Sequence, residues 1–218
     1  RASQIYTLEA FPEDYAITQI NLGLGYGERI TGERRANLEE AIACYKRALQ
    51  VYTFDAFPIR YATIQHDLGI TYVERIEGER RTNLEEAIVH FTRALQVRTL
   101  DAFPKDYAMV QGGLGHAYVE RIEGDRRANL EEAIACCKRA LQVYTLDAFP
   151  EQYANTQGNL GGIYVELVTE VREAPESNIE KALACCTHAL QVYTYEAFPV
   201  EYARTQHNMG GAYMRRIE

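Results

Sequence analysis

The sequence predicts an all-α solenoid, and three observations predict it. An Ala-Phe-Pro mark after an acidic residue recurs at Ala10-Phe11-Pro12, Ala56-Phe57-Pro58, Ala102-Phe103-Pro104, Ala148-Phe149-Pro150 and Ala197-Phe198-Pro199. The prolines lie 46 residues apart three times and then 49 apart, and the intervening sequence repeats with them. Within each repeat the apolar residues fall at spacings of three and four, the period of a helix and not of a strand. A chain built from one unit buries its core between neighbouring units, which makes a solenoid and not a globule.

The first helix of each repeat, helix A, starts at the proline. Its missing N–H is no loss in the first turn, where that group has no intrahelical partner. Glu13 and Asp14 follow at the positive end of the helix dipole. Tyr15, Gln19, Leu22, Gly23, Tyr26 and Ile30 form the core stripe of the first repeat. Gly32, Gly78 and Gly124 then stand at one place in successive repeats and fit a helix C-cap. Asn37 reads as the N-cap of helix B, with Glu40 completing a capping box. Leu38, Ala41, Ile42, Tyr45, Ala48, Leu49 and Tyr52 make the stripe of helix B. The expected helices are 12–30, 37–53, 58–76, 83–99, 104–122, 129–145, 150–168, 178–194 and 199–217. The three residues inserted in the fourth repeat predict a longer turn over 167–177, with Asn178 capping the helix after it.

Composition excludes some classes. The chain has 218 residues, 47% hydrophobic and 25% charged, with a net charge of −8. Basic residues stand beside acids, as in Glu33-Arg34-Arg35, so no nucleic-acid stripe forms. No run approaches the ~20 apolar residues of a membrane span, and no signal-peptide pattern opens the chain. The cysteines Cys44, Cys136, Cys137, Cys185 and Cys186 contain no C-x-x-C pair and read as reduced core residues of a cytoplasmic protein. His66, His116 and His207 come from different repeats, so no metal site is expected, and His90 and His188 read as exposed on helix B. No cofactor is expected. Without a nucleophile–base pair or a phosphate-cradling glycine loop, the expectation is that the chain is not an enzyme.

The pattern Leu22-Gly23-x-x-Tyr26 followed by Ala41-x-x-x-Tyr45-x-x-Ala48 recurs as Leu68-Gly69-Tyr72 with Ala87-Phe91-Ala94. It returns as Leu114-Gly115-Tyr118 with Ala133-Cys137-Ala140, as Leu160-Gly161-Tyr164 with Ala182-Cys186-Ala189, and in Met209-Gly210-Tyr213. This resembles the tetratricopeptide (TPR) repeat over nearly the whole chain, in a long variant similar to arrays in large bacterial, especially cyanobacterial, multidomain proteins. The period exceeds the family's ~34 residues, and Gln19, Gln65, Gln111, Gln157 and Gln206 stand where the family has a large residue. The resemblance implies antiparallel helix pairs wound into a right-handed superhelix. On that basis residues 1–218 form one array. Its repeats are 12–57, 58–103, 104–149, 150–198 and a partial 199–218, with 1–11 the tail of a preceding helix B and its loop. Both ends fall inside the repeat pattern, so a fragment of a longer array is expected.

Positions that vary between repeats are free of the fold's constraint. In helix A they are Ile17, Ile20 and Leu24, then Thr63, His66 and Ile70, then Met109, Gly112 and His116. The fourth and fifth helices A contribute Asn155, Gly158, Gly162, Arg204 and His207. Residue 17 lies about 200° around the helix from core Tyr15, so this stripe opposes the core. In TPR proteins that face lines the concave, ligand-binding groove; the alternative is drift on a solvated face. Beside it stand Asn21, Asn159 and Asn208, broken by Asp67 and Gly113. An Asn there grips a peptide backbone in peptide-binding relatives, and the alternative is an amide satisfied by solvent. Gly112, Gly158, Gly162 and Gly211 are expected to flatten the groove floor. The expected function is a scaffold for a protein or peptide partner, with no nucleic acid and no membrane. The alternative is a structural spacer or self-assembling segment. Head-to-tail association through the two ends, at Met209 and Tyr213, is a further expectation.

Overall fold

The computed structural model describes residues 6–170 and 175–217. Among these there are nine α-helices and no strand. They are α1 (Pro12–Gly27), α2 (Arg34–Ala48), α3 (Pro58–Glu74), α4 (Arg80–Leu95), α5 (Pro104–Glu120), α6 (Arg126–Ala140), α7 (Pro150–Glu170), α8 (Pro175–Ala189) and α9 (Pro199–Ile217). The chain divides into two compact units, Arg1–Phe103 and Pro104–Glu218. The division falls on a repeat boundary.

Each helix A packs on the helix B that follows it, in antiparallel fashion. In the first unit Tyr52, just past α2, donates to the carbonyl of Glu13 at the start of α1 (3.5 Å). At the other end Arg34, the first residue of α2, donates to the carbonyl of Gly27, the last of α1. The close approach comes from small residues. Ala16, Ala48, Ala62 and Ala94 are wholly buried, as are Ala108, Ala140, Ala154 and Ala189 in the second unit. The glycine of the Leu-Gly pair is also sterically required in three of the four complete pairs, and at Gly115 a Cβ would lie 3.1 Å from the Cys136 Cβ. A Cβ on Gly23 would lie 2.6 Å from the Tyr45 ring, one on Gly69 2.7 Å from Phe91, and one on Gly161 2.8 Å from the Cys186 sulfur.

The turn from B to A repeats a single design. The Thr53 carbonyl accepts from Phe57 N–H (3.0 Å), and its hydroxyl accepts from Ala56 N–H (3.3 Å). The Phe57 ring meets Tyr52 edge-on at 5.1 Å. The proline then opens the next helix, as expected. In the second unit Thr145 and Thr194 play the same part.

The turn from A to B differs from expectation. Helix B begins three residues early, with Glu33, Glu79 or Asp125 at the N-cap position. Only at Asp125 among these does the side chain cap, accepting from Ala128 N–H at 2.9 Å. Asn37, Asn83 and Asn129 sit inside the first turn and are buried. Their amides donate backward to the carbonyls of Thr31 (3.1 Å), Glu77 (2.8 Å) and Glu123 (2.8 Å). These asparagines close the turn and do not cap the helix. Gly32, Gly78 and Gly124 sit in mid-turn with φ of 86°, 77° and 82°, a left-handed conformation that strains any residue with a side chain. They are not the C-caps expected, because helix A ends several residues earlier.

The inserted residues of the fourth repeat are also placed differently. The turn expected over 167–177 is partly helix: α7 runs on to Glu170 and α8 starts at Pro175. Residues 171–174 lie outside the described residues. Leu167 and Val168 are buried in a cluster with Ile163, Tyr164, Ile179 and Ala182, which draws the extra turn of helix into the core. Asn178 therefore lies within α8 and is not its cap.

Other core expectations also shift. Ile30 is 98% exposed and Leu22 is partly exposed, whereas Leu68, Leu114 and Leu160 are buried. His90 is buried, not exposed. Its Nδ1 lies 2.6 Å from the Gln65 Oε1, and its ring stacks on Tyr72 at 5.2 Å. All five cysteines are free and buried. His188 is exposed as expected.

Arginines join consecutive repeats within a unit. Arg34 pairs with Glu74 in the first unit and Arg126 with Glu166 in the second. Arg75 forks onto both carboxylate oxygens of Glu39, at 2.7 and 2.9 Å. The Glu39 acid is held below its usual range, first by that hydrogen bond.

Candidate functional site

In the second unit the variable stripe becomes a cavity of about 750 Å³. Met109, Gly112, His116, Asn155, Asn159, Gly162, Arg204 and Asn208, all expected at the site, line it. His207 is exposed but does not line it. The stripe thus brings together side chains from α5, α7 and α9, three successive helices A.

Repeat arithmetic explains why the cavity opens here. In the first unit the column of Gly112 holds Ile20 and His66, and the column of Cys137 holds Tyr45 and Phe91. His66 was expected in the groove, but it is buried, its ring edge-on to Phe91 at 5.8 Å and its Nδ1 3.4 Å from Asp67. Large side chains fill that space in α1 to α4. In α5 and α6 the same space is left to Gly112 and Cys137. A Cβ at Gly112 would meet nothing within 4 Å.

The remaining site residues of the first unit present a ridge. Ile17, Leu24 and Ile70 are each about 40% exposed. Asn21 is exposed, while Ile20 and Asp67 are half-buried. Thr63 accepts from Arg98 at 2.7 Å and donates to the Ile59 carbonyl at 3.0 Å, so its hydroxyl is committed.

Not every glycine expected on the floor is open. A Cβ at Gly162 would lie 3.1 Å from Asn208 Nδ2, one at Gly211 3.3 Å from Val165, and one at Gly158 3.6 Å from Thr205. These glycines let α9 approach α7. Asn208 donates to the Gly158 carbonyl at 3.3 Å, so its amide helps join the two helices instead of waiting for a ligand. Asn159 donates to Asn155 Oδ1 at 2.9 Å, and both are exposed.

Several lining residues escaped the sequence reading. Tyr144, Tyr193, Phe198, Glu151, Gln152, Thr156 and Glu201 all border the cavity. Tyr144 and Tyr193 stand in the column of Tyr52, which belongs to the core stripe of helix B. Tyr193 donates to the Glu151 carbonyl at 3.3 Å, as Tyr52 does to Glu13. The Tyr144 hydroxyl has no hydrogen-bond partner among the described residues, although the side chain is 93% buried. Burial first, then Asp106, pushes its pKa up, so it stays a neutral hydroxyl that can donate or accept.

Glu151, Glu166 and Glu201 face the cavity against Arg204 and His116. Glu166 is paired with Arg126. Burial, with help from Cys136 and Cys185, raises the Cys137 thiol to about 12, so it contributes a small apolar surface and not a thiolate. Among the described residues no group of three or more His, Cys, Asp or Glu could hold a metal ion. No described helix is long and apolar enough to cross a membrane.

Comparison of the sequence with protein-family models gave no match, and comparison with curated proteins gave none either. The reading of the site therefore rests on its geometry.

Proposed function

We propose that the chain is a TPR-type interaction module, without catalysis of its own, that holds a segment of a protein partner against its A helices. The observation that carries this reading is the convergence of the variable stripe. Residues free of the fold's constraint in α5, α7 and α9 border one cavity, where drift on a solvated face has no reason to leave an opening. The cavity falls in the size range of ligand sites. The Leu-Gly and alanine pattern supports the TPR assignment, and the close A–B packing at Gly23, Gly69 and Gly161 gives that pattern its steric reason. Five free, buried cysteines support a cytoplasmic setting.

The test is site-specific photo-crosslinking in native lysate. A photoreactive residue at Asn155 should capture a defined partner, and one at exposed Glu180 on α8 should not. Equal labelling from both positions would refute the reading. Self-assembly is a second reading, favoured by Val200, Tyr213 and Met214 on α9, which are 73%, 50% and 66% exposed. Sedimentation velocity against concentration separates the two, because self-assembly alone makes the mass concentration-dependent.

A further inference from the structure

We propose that the groove of the second unit takes an extended peptide through one bulky apolar side chain seated over Gly112 and Cys137, with a lysine or arginine beside it facing Glu151 and Glu201. This rests on the interaction reading and specifies its ligand.

The apolar seat follows from what the repeats do elsewhere. The fold places Ile20 or His66 at the Gly112 position, and Tyr45 or Phe91 at the Cys137 position. Here that volume is empty of protein side chain, and Ala108, Met109, Val119 and Ile163 also line it. A helical glycine without a packing reason is less stable than alanine at the same place. Gly112 has no such reason in the chain, since nothing lies within 4 Å of its missing Cβ. A cavity of 750 Å³ has the volume of about 25 waters at ~30 Å³ each, room for several residues and not only an ion. Apolar walls gain by exchanging that water for a side chain.

The second observation is polar. Tyr144 is buried at the cavity wall with its hydroxyl unpartnered among the described residues, whereas the equivalent Tyr52 and Tyr193 bond to backbone carbonyls. The Tyr144 oxygen is not among the sealed, unsatisfied polar atoms, so it opens to the cavity and can donate to or accept from a ligand group. A peptide carbonyl or N–H in the groove supplies that partner. Asn159, whose Nδ2 is committed to Asn155, keeps its carbonyl oxygen for a second backbone contact.

Charge selects the neighbour of the anchor. Glu151 and Glu201 border the groove and form no ion pair among the described residues, while Glu166 is neutralised by Arg126. Arg204 is the opposing cation on α9, and the whole chain carries −8. An acidic ligand would meet two unpaired carboxylates; a basic one meets their complement.

The experiment uses the whole chain and dye-labelled short peptide pools, read by fluorescence anisotropy. One pool has a central Leu or Phe flanked by Arg; in a second the flanks are Glu; in a third the centre is Ala with Arg flanks. The Arg-flanked apolar pool should bind at least about tenfold more tightly than either other pool. Gly112→Ile restores the side chain that the first repeat carries and should abolish binding. Its folding is checked by circular dichroism. The double variant Glu151→Lys with Glu201→Lys leaves the seat intact and should shift preference to the Glu-flanked pool. Equal binding of Glu- and Arg-flanked pools, or of Ala- and Leu-centred ones, overturns the inference. If such binding is still lost in Gly112→Ile, the interaction reading survives. If no pool binds, the inference falls; partner capture by the crosslinker at Asn155 then decides whether the broader reading falls with it.

Discussion

His90 should make the first unit acid-sensitive. Its ring is 5% exposed, stacks on Tyr72, and spends Nδ1 on Gln65 Oε1 at 2.6 Å. Burial first, then the positive charges of Arg93 and Lys46, lowers its pKa from 6.5 to about 4. Glu86 opposes this at 3.9 Å from Nε2, but its side chain is half exposed and solvent screens it. The unfolded chain takes up a proton near pH 6.5, and the folded chain resists until about pH 4. The contribution of neutral His90 is therefore complete above pH 6.5 and is lost as pH falls toward 4. Linkage gives a loss of about 2 kcal/mol at pH 5 and about 3 kcal/mol at pH 4. The assay is urea unfolding from pH 7.5 to 4 for wild type and for His90→Cys, the residue that the next repeat carries as Cys136. Carboxylates titrate in both proteins and cancel in the difference. Wild type should lose about 3 kcal/mol more than the variant over that range. Parallel curves would show that His90 titrates normally and refute the burial argument.

Other perturbations test the packing and the groove separately. Gly69→Ala forces a methyl to 2.7 Å from Phe91 and should cost about 1–3 kcal/mol in chemical denaturation. Gly112→Ala meets open space and should stabilise by about 0.5–1 kcal/mol. Asn129→Ala leaves the Glu123 carbonyl without its side-chain donor and should lower stability by about 1–3 kcal/mol in the same assay. Leu114→Ala removes a buried side chain and should cost about 2–5 kcal/mol. Exposed His116→Ala should leave the melting temperature nearly unchanged while weakening crosslinking at Asn155; equal losses of stability at 114 and 116 would place His116 in the core.

Helix identity was legible because proline and the three-to-four periodicity act locally. The groove stripe was legible because the repeats serve as their own alignment. The turns were misread because Asn37 carries the residue type of a cap, and only the folded turn reveals that its amide points back to Thr31. Leu167 and Val168 looked like the start of a loop beside Pro175, yet burying them repays another helical turn. His66 and His90 are both buried against expectation, since each is decided by a partner on the opposing helix, Phe91 for one and Gln65 for the other. Tyr144 was missed because recurrence marks a structural role, and nothing in the sequence says that its hydroxyl lacks the carbonyl its counterparts find.

The arginine that opens helix B has a consequence for how such a chain changes length. Arg34 holds the end of its own helix A through Gly27 and reaches Glu74 of the following repeat; Arg126 does the same with Val119 and Glu166. These two joints are thus one arginine plug in one glutamate socket of the same chemistry. Excising or duplicating a whole period rejoins a plug to a socket it already fits, whereas a cut at any other phase leaves an arginine and a glutamate without their mates. Gain and loss of repeats can thus proceed in whole periods without redesigning the joint, and the lining of the groove can diversify one repeat at a time.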